Sequence, residues 1–430
     1  MSSQRMAFLA PFISVDQPFL RSSALPMISN DIHPPVTETV PTVGAAFDTL
    51  WNIPKGSTDR MADTHISSPL FDGISSWILV EAEPPPAAPP TEAEITSLRE
   101  AFGAFFGERN PQKALPLLTN ALQSFERQPP DERAALYRVR GDCYMALQLP
   151  REAADDYGRC LGLMDGIGGE KADPSERPLA RLGRARALRS GTGDEKRNTQ
   201  AAEDYRVALT LTGNDDLEEE ERLADGVSKN PYAAWEWGMS QRGSGDFLGA
   251  AKTHARAMVA FETVGDHAAA VISALDRGID LAAASSSQDI VKARDALELS
   301  IRSTPTVKGD DKDIPILQRV IAKEGEARMA LASILWDANE RSAAETELGE
   351  ACARLEQLDA DADARDKVVE KKNLPKQIKP LISNLGYSID DILGAREIGC
   401  SSFKRESFLT EKVQWPPVLQ EKVLKLQRLK

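Results

Sequence analysis

Side chains able to carry catalytic chemistry are few and scattered in this chain. The histidines are His33, His65, His254 and His267, and none stands at metal-ligand spacing from another. His254 falls at a position where an apolar helix residue is usual, so a packing role is favoured over a ligand role. No HExxH helix and no paired-cysteine zinc spacing is present. No phosphate loop of the form GxxxxGK followed by Ser or Thr occurs, and Gly166–Gly169 lacks the strand-turn-helix setting of a dinucleotide site. Acid pairs such as Asp155-Asp156 and the run Glu218–Glu221 read as solvated helix faces. The chain therefore reads as non-catalytic, with no cofactor and no metal.

The cysteines Cys143, Cys160, Cys352 and Cys400 show no paired spacing and are too few for a disulfide framework, which points to a reducing compartment. Cys143 and Cys160 are expected on facing helices. They are either buried reduced thiols or a redox pair, and the second role needs an exposed thiol of low pKa.

Charge is uneven along the 430 residues. Residues 1–90 carry 4 Lys and Arg against 9 Asp and Glu, residues 91–370 carry 36 against 51, and residues 371–430 carry 12 against 6. An acidic body argues against nucleic acid, because phosphate neutralisation supplies most of that affinity. The basic tail is either a solvated helix end or a contact for an anionic partner or membrane surface. No run approaches the roughly 20 apolar residues that cross a bilayer, so membrane association is peripheral at most.

Small residues at fixed offsets organise the body. Gly141, Ala153 and Cys160 share their spacing with Gly238, Ala250 and Ala257, and with Ala332, Ala344 and Ala351. Two antiparallel helices approach closely only where facing side chains are short. Apolar residues recur at three-and-four spacing from Thr91 onward, and Asn110-Pro111 and Asn230-Pro231 mark helix starts. On these residues the chain resembles the tetratricopeptide-repeat (TPR) family. The fold expected is all-α, a right-handed solenoid of about six helical hairpins over 91–370. The repeat alanines Ala114, Ala153, Ala201, Ala250, Ala293 and Ala344 lie 39, 48, 49, 43 and 51 apart, against about 34 in strict repeats. Longer helices or expanded loops are required.

The resemblance also implies a binding surface. In this family the first helix of each hairpin lines a concave groove, and that register selects Arg138, Asp142 and Met145, then Arg177, Arg184 and Ala187. Next come Tyr232, Trp235, Met239 and Arg242, then Ile272, Leu275 and Ile279, and last Glu326, Met329, Ser333 and Trp336. The groove so drawn is basic at one end and aromatic at the other, and it suits a protein or peptide with acidic and apolar anchors. The competing reading makes Trp235, Trp237 and Trp336 core residues. The Lys and Asn pattern with which family members grip a chaperone tail finds no match.

The flanks differ from the body. Residues 1–90 are rich in Ser, Thr and Pro and end in the proline-rich stretch Glu81–Pro90, which reads as a disordered leader and stiff linker. Arg5, Arg21 and Arg60 favour an organelle transit peptide, whereas Asp16, Asp31, Glu38 and Asp48 oppose it. Residues 371–430 read as a cap over the last repeat or a docking extension, with a final amphipathic helix from Val418 to Leu429 carrying Leu419, Val423 and Leu426 on one face. The segments Asn230–Gly238, Gln318–Gly325 and Trp415–Pro417 resemble repeat proteins sent to plastids in plants and algae. That resemblance implies a chloroplast scaffold, for instance an assembly factor for a thylakoid complex, with a cytoplasmic adaptor or co-chaperone as the alternative and an enzyme with an unrecognised site as a third reading.

Overall fold

The computed structural model describes residues 90–427 except 167–174, 191–193, 285–286, 309–313, 372–399 and 414. The expected leader, the histidines within it, most of the 166–169 glycine segment and the start of the C-terminal extension lie outside the described residues. Among the described residues every regular element is a helix and none is a strand. The first are α1 (Glu92–Phe102), α2 (Pro111–Ser124), α3 (Pro130–Ala146), α4 (Pro150–Gly166), α5 (Glu176–Arg189) and α6 (Glu195–Thr212). Then follow α7 (Glu219–Lys229), α8 (Pro231–Gly243), α9 (Phe247–Thr263), α10 (His267–Ala283), α11 (Ser287–Ser303), α12 (Ile314–Asp337), α13 (Arg341–Lys371) and α14 (Pro417–Gln427).

Local chemistry sets where these helices begin and end. Asn110 and Asn230 each accept a hydrogen bond from a backbone N–H of the first turn, Lys113 and Ala233, and each is followed by proline at the first helical position. Proline there sacrifices an N–H that has no intrahelical partner anyway. Thr91 and Glu94 form a reciprocal capping box at the start of α1. Around α9 one short turn is used twice. Gly245 and Gly265 take left-handed φ values of 83° and 78°, and the aspartates that follow, Asp246 and Asp266, cap α9 and α10.

Consecutive helices pack on one another: α3 on α4, α5 on α6, α8 on α9, α10 on α11 and α12 on α13. Every small residue of the three matched sets is buried. The close approaches are visible at the glycines. A methyl group at Gly238 would lie 2.5 Å from the His254 ring, one at Gly278 2.6 Å from Leu297, and one at Gly325 2.6 Å from Leu355. Gly325 and Leu355 lie seven residues back and seven residues on from Ala332 and Leu348, so α12 and α13 keep one antiparallel register across two turns. Gly183 departs from the expected pattern. Its notch is filled from the preceding pair by Tyr157, whose ring also fills the notch at Gly141. One buried ring thus joins α3, α4 and α5.

The irregular repeat spacing has visible causes. α7 is an extra helix between α6 and α8, and it packs on α6 and on α9. At its crossing with α6, Gly226 approaches the Leu209 carbonyl so closely that a methyl group would sit 1.9 Å from the oxygen. Sequence periodicity missed α7 because its acidic first turn, Glu219–Glu221, reads as a solvated face. The longest gap, Ala293 to Ala344, contains α12, 24 residues long, preceded by the 3-10 turn Thr304–Thr306.

The C-terminal residues return to the body. α14 packs on α12, and Phe403, Phe408, Leu409, Val413, Trp415, Leu419, Val423 and Leu426 are buried in one core with Leu331, Leu335 and Leu348. Phe403 meets both Phe408 and Trp415 edge to face. The expectation of unpaired cysteines is corrected here: Cys352 of α13 and Cys400 form a disulfide across a separation of 48 residues. Only tertiary packing makes them neighbours, so spacing in the sequence carries no trace of the bond. In a chain-entropy account, a ring of that size stabilises the folded state by on the order of 4 kcal/mol.

These notches generate opposite outcomes for one substitution. Gly158 on α4 has open space at its Cβ position, whereas Gly183 would place a methyl group 2.4 Å from Tyr157 Cζ. Gly158→Ala should raise unfolding stability by about 0.5–1 kcal/mol through helix propensity. Gly183→Ala should lower it by about 1–3 kcal/mol despite the same propensity gain. Urea unfolding of both variants measures the contrast, and equal shifts would refute the close approach.

Candidate functional site

The first helices of successive pairs are joined by ion pairs. Arg138 of α3, 2% exposed, donates to Glu176 of α5 at 2.6 Å and to Asp142 at 2.7 Å. Tyr157 of α4 donates to the other Asp142 oxygen at 2.6 Å. Arg186 and Arg189 of α5 meet Glu236 of α8. Arg242 of α8 donates to Asp280 and, at 3.0 Å, to Asp276, both on α10. Lys323 of α12 returns to Asp276 at 3.2 Å and also holds Glu326 at 2.8 Å. Side branches fix the second helices, with Arg140 forked on Asp156 and with Arg181 and Arg184 both on Asp204.

The densest knot surrounds Asp276. Its carboxylate accepts from Arg242, Lys323 and the Trp235 indole N–H, the last at 2.9 Å, and its neighbour Asp280 holds His254 Nδ1 at 2.6 Å. Burial opposes charge on Asp276, yet Lys323 and Arg242 outweigh it and hold the carboxyl below the usual carboxylate range. Burial wins at Glu326 and at Asp142, and both carboxyls are pushed up. His254 has its other nitrogen against the Gly238 backbone, without a hydrogen-bond partner among the described residues. Its place is in the helix crossing.

Several residues assigned to an open groove are therefore interior. Arg138, Arg242, Met239 and Met329 are buried, and the two arginines are consumed by carboxylates of this chain, so none of the four is presented to a ligand. Leu275, Ile279, Glu326 and Ser333 are interior as well. Arg177 is half-buried and donates to Asp165 at 2.7 Å, and Arg184 is bound to Asp204. Trp336 is half-buried with the Arg341 guanidinium 3.6 Å above its ring, and Trp237 belongs to the core. Acid partners on the next first helix were the signal missed. They recur 38 residues after Arg138 and after Arg242, and 50 after Arg186.

What the structure does bring together is the aromatic end. Tyr232 and Trp235 of α8, Phe261 of α9, Ala269 and Ile272 of α10 and Arg319 of α12 line a shallow depression open to solvent. Tyr232 packs edge to face on Phe261 with ring centres 4.8 Å apart, and its hydroxyl donates to Asp266. The Trp235 N–H is spent on Asp276. With these polar atoms internally bound, the pocket wall consists of ring faces and aliphatic side chains, with the Arg319 guanidinium at one side. Such a depression offers a small, mostly apolar surface.

Comparison with known protein families finds no model that matches the chain, and comparison with curated proteins finds no matching relative. Among the described residues no group of three or more His, Cys, Asp and Glu side chains is placed to hold a metal ion, and no helix is long and apolar enough to cross a membrane. Cys143 and Cys160 are buried, their thiols pushed up to about 12, in both cases chiefly by burial.

Two outcomes follow. Asp276→Asn leaves Lys323 and Arg242 without their shared carboxylate and should cost about 3–5 kcal/mol at neutral pH. The depressed pKa of Asp276 adds stability above its unfolded value, near 3.9, that is lost as pH falls toward the folded value, so the variant should lose less than the wild type between about pH 5 and pH 2. Parallel acid limbs in urea titrations would overturn this. Separately, iodoacetamide at pH 8 should leave Cys143 and Cys160 unmodified in the folded protein and label them in urea. Mass spectrometry of the labelled peptides reads the result.

Proposed function

We propose that the chain is a non-catalytic protein-binding scaffold built as a TPR-like solenoid of helical hairpins. The paired packing of consecutive helices and the glycine notches at their crossings support the architecture, and α7 and the C-terminal segment are additions to it. The depression at Tyr232, Trp235, Phe261, Ile272 and Arg319 carries the reading of function, because the Tyr232 hydroxyl and the Trp235 N–H are tied inward and the lining left is mostly apolar. Its occupant is a peptide segment, extended or helical, that lays an apolar or aromatic side chain against this lining. The basic end of the expected groove is not part of this site, since Arg138, Arg177 and Arg184 are engaged with Glu176, Asp165 and Asp204.

The narrower form of the proposal, a plastid assembly factor, rests on the sequence resemblance of segments 230–238, 318–325 and 415–417. Loss of the leader between residues 60 and 90 in the native source would support it.

Phage-displayed peptides selected on the full chain test the site. Enriched peptides should share a Phe, Leu or Trp at one position. Ile272→Glu and Trp235→Ala should weaken the best of them at least tenfold by fluorescence anisotropy, while Arg184→Ala changes nothing. Circular dichroism and urea midpoints separate lost binding from lost folding. Equal binding by a folded Ile272→Glu variant would end the assignment.

A further inference from the structure

We infer that the Cys352–Cys400 disulfide is a redox modification site, a substrate for dithiol reductants, whose opening releases the C-terminal segment 400–427 from α12. This inference is independent of peptide capture at Trp235.

Placement comes first. Cys352 sits on α13, Cys400 is the first described residue of the returning segment, and their Cα atoms are 4.8 Å apart. Both are partly exposed, whereas Cys143 and Cys160 are fully buried. A small dithiol, or the Cys-x-x-Cys face of an oxidoreductase, reaches the first pair and not the second. The bond therefore stands where exchange chemistry can act on it.

The exchange balances within itself. A donor thiolate attacks one sulfur of the pair and expels the other as a thiolate, which takes up a proton. The donor's second thiol then resolves the mixed disulfide, freeing the second cysteine as a thiol. Two electrons and two protons pass to Cys352 and Cys400, and the donor leaves as a disulfide.

Release follows from the balance of docking. The apolar side chains of the segment favour association with α12, and the ordering of its backbone opposes it. One polar tie to α12 among the described residues, Lys422 on Asp337 at 3.1 Å, is partly exposed and weak for that reason. Closing the ring across 48 residues favours the docked state by roughly 10³-fold, which tips the balance. Opening it removes that factor from the docked segment alone.

The test uses the full chain equilibrated with oxidised dithiothreitol and then exposed to reduced dithiothreitol without denaturant. Iodoacetamide should then label Cys352 and Cys400 but not Cys143 or Cys160. Amide hydrogen exchange in α14 should accelerate at least tenfold, while α8 and α9 stay unchanged. Cys400→Ser should show the fast α14 exchange with no reductant present. Four free thiols after oxidation, a bond that opens only in denaturant, or α14 exchange that ignores the bond's state would each overturn the inference. Acceleration in α8 and α9 as well would also overturn it, since it would mean general loosening instead of release of the segment.

Discussion

A charged side chain withdrawn from water must find its opposite, and that requirement governs how the first helices of this protein stack. Arg138, Arg242 and Lys323 lie where solvent cannot reach or barely reaches, and each is neutralised by a carboxylate on the adjacent first helix. Such pairs contribute little net stability against an apolar core of the same shape, but a displaced helix would strand a buried charge at a cost of several kcal/mol. They penalise wrong registers more than they reward the right one. The small-residue notches do the complementary work within each pair, by setting how near two helices come.

The aromatic pocket depends on this arrangement. Asp276 ties Trp235 and Arg242 of α8 to Lys323 of α12, so the same carboxylate that fixes the helices also fixes the indole as a wall. Tyr232 is held likewise by Asp266, which at the same time caps α10. The site is preorganised by side chains whose charges are already spent on the scaffold. What remains at its surface is ring faces and aliphatic edges.

Much of the helical layout was legible in the sequence. Asn-Pro starts, Gly-Asp turns and buried small residues act within a few positions of chain, and periodic patterns expose them. α7 was not legible, because its acidic first turn masks the Leu223 and Val227 that it buries. The interior place of Arg138 and Arg242 was hidden for a different reason. Arginine at a first-helix position reads as exposed unless its carboxylate, 34 to 38 residues away, is recognised as facing it. The Cys352–Cys400 bond has the same character, since proximity there is created by the fold and leaves no local mark. Tyr232 and Trp235 were found by register, whereas Phe261 and Arg319 come from other helices and need the packed structure to be seen.

The ring of Tyr157 touches two glycines, Gly141 on its own pair's first helix and Gly183 on the next. A joint of that kind is keyed. The aromatic wedge fits only where notches stand on both sides, and the hydroxyl needs Asp142 at its rim. Exchanging the order of the helical units, or grafting one from elsewhere in the chain, would leave a hole on one side and a collision on the other. Modularity, the usual freedom of repeated architectures, is therefore restricted in this protein to units that carry matching halves of the key.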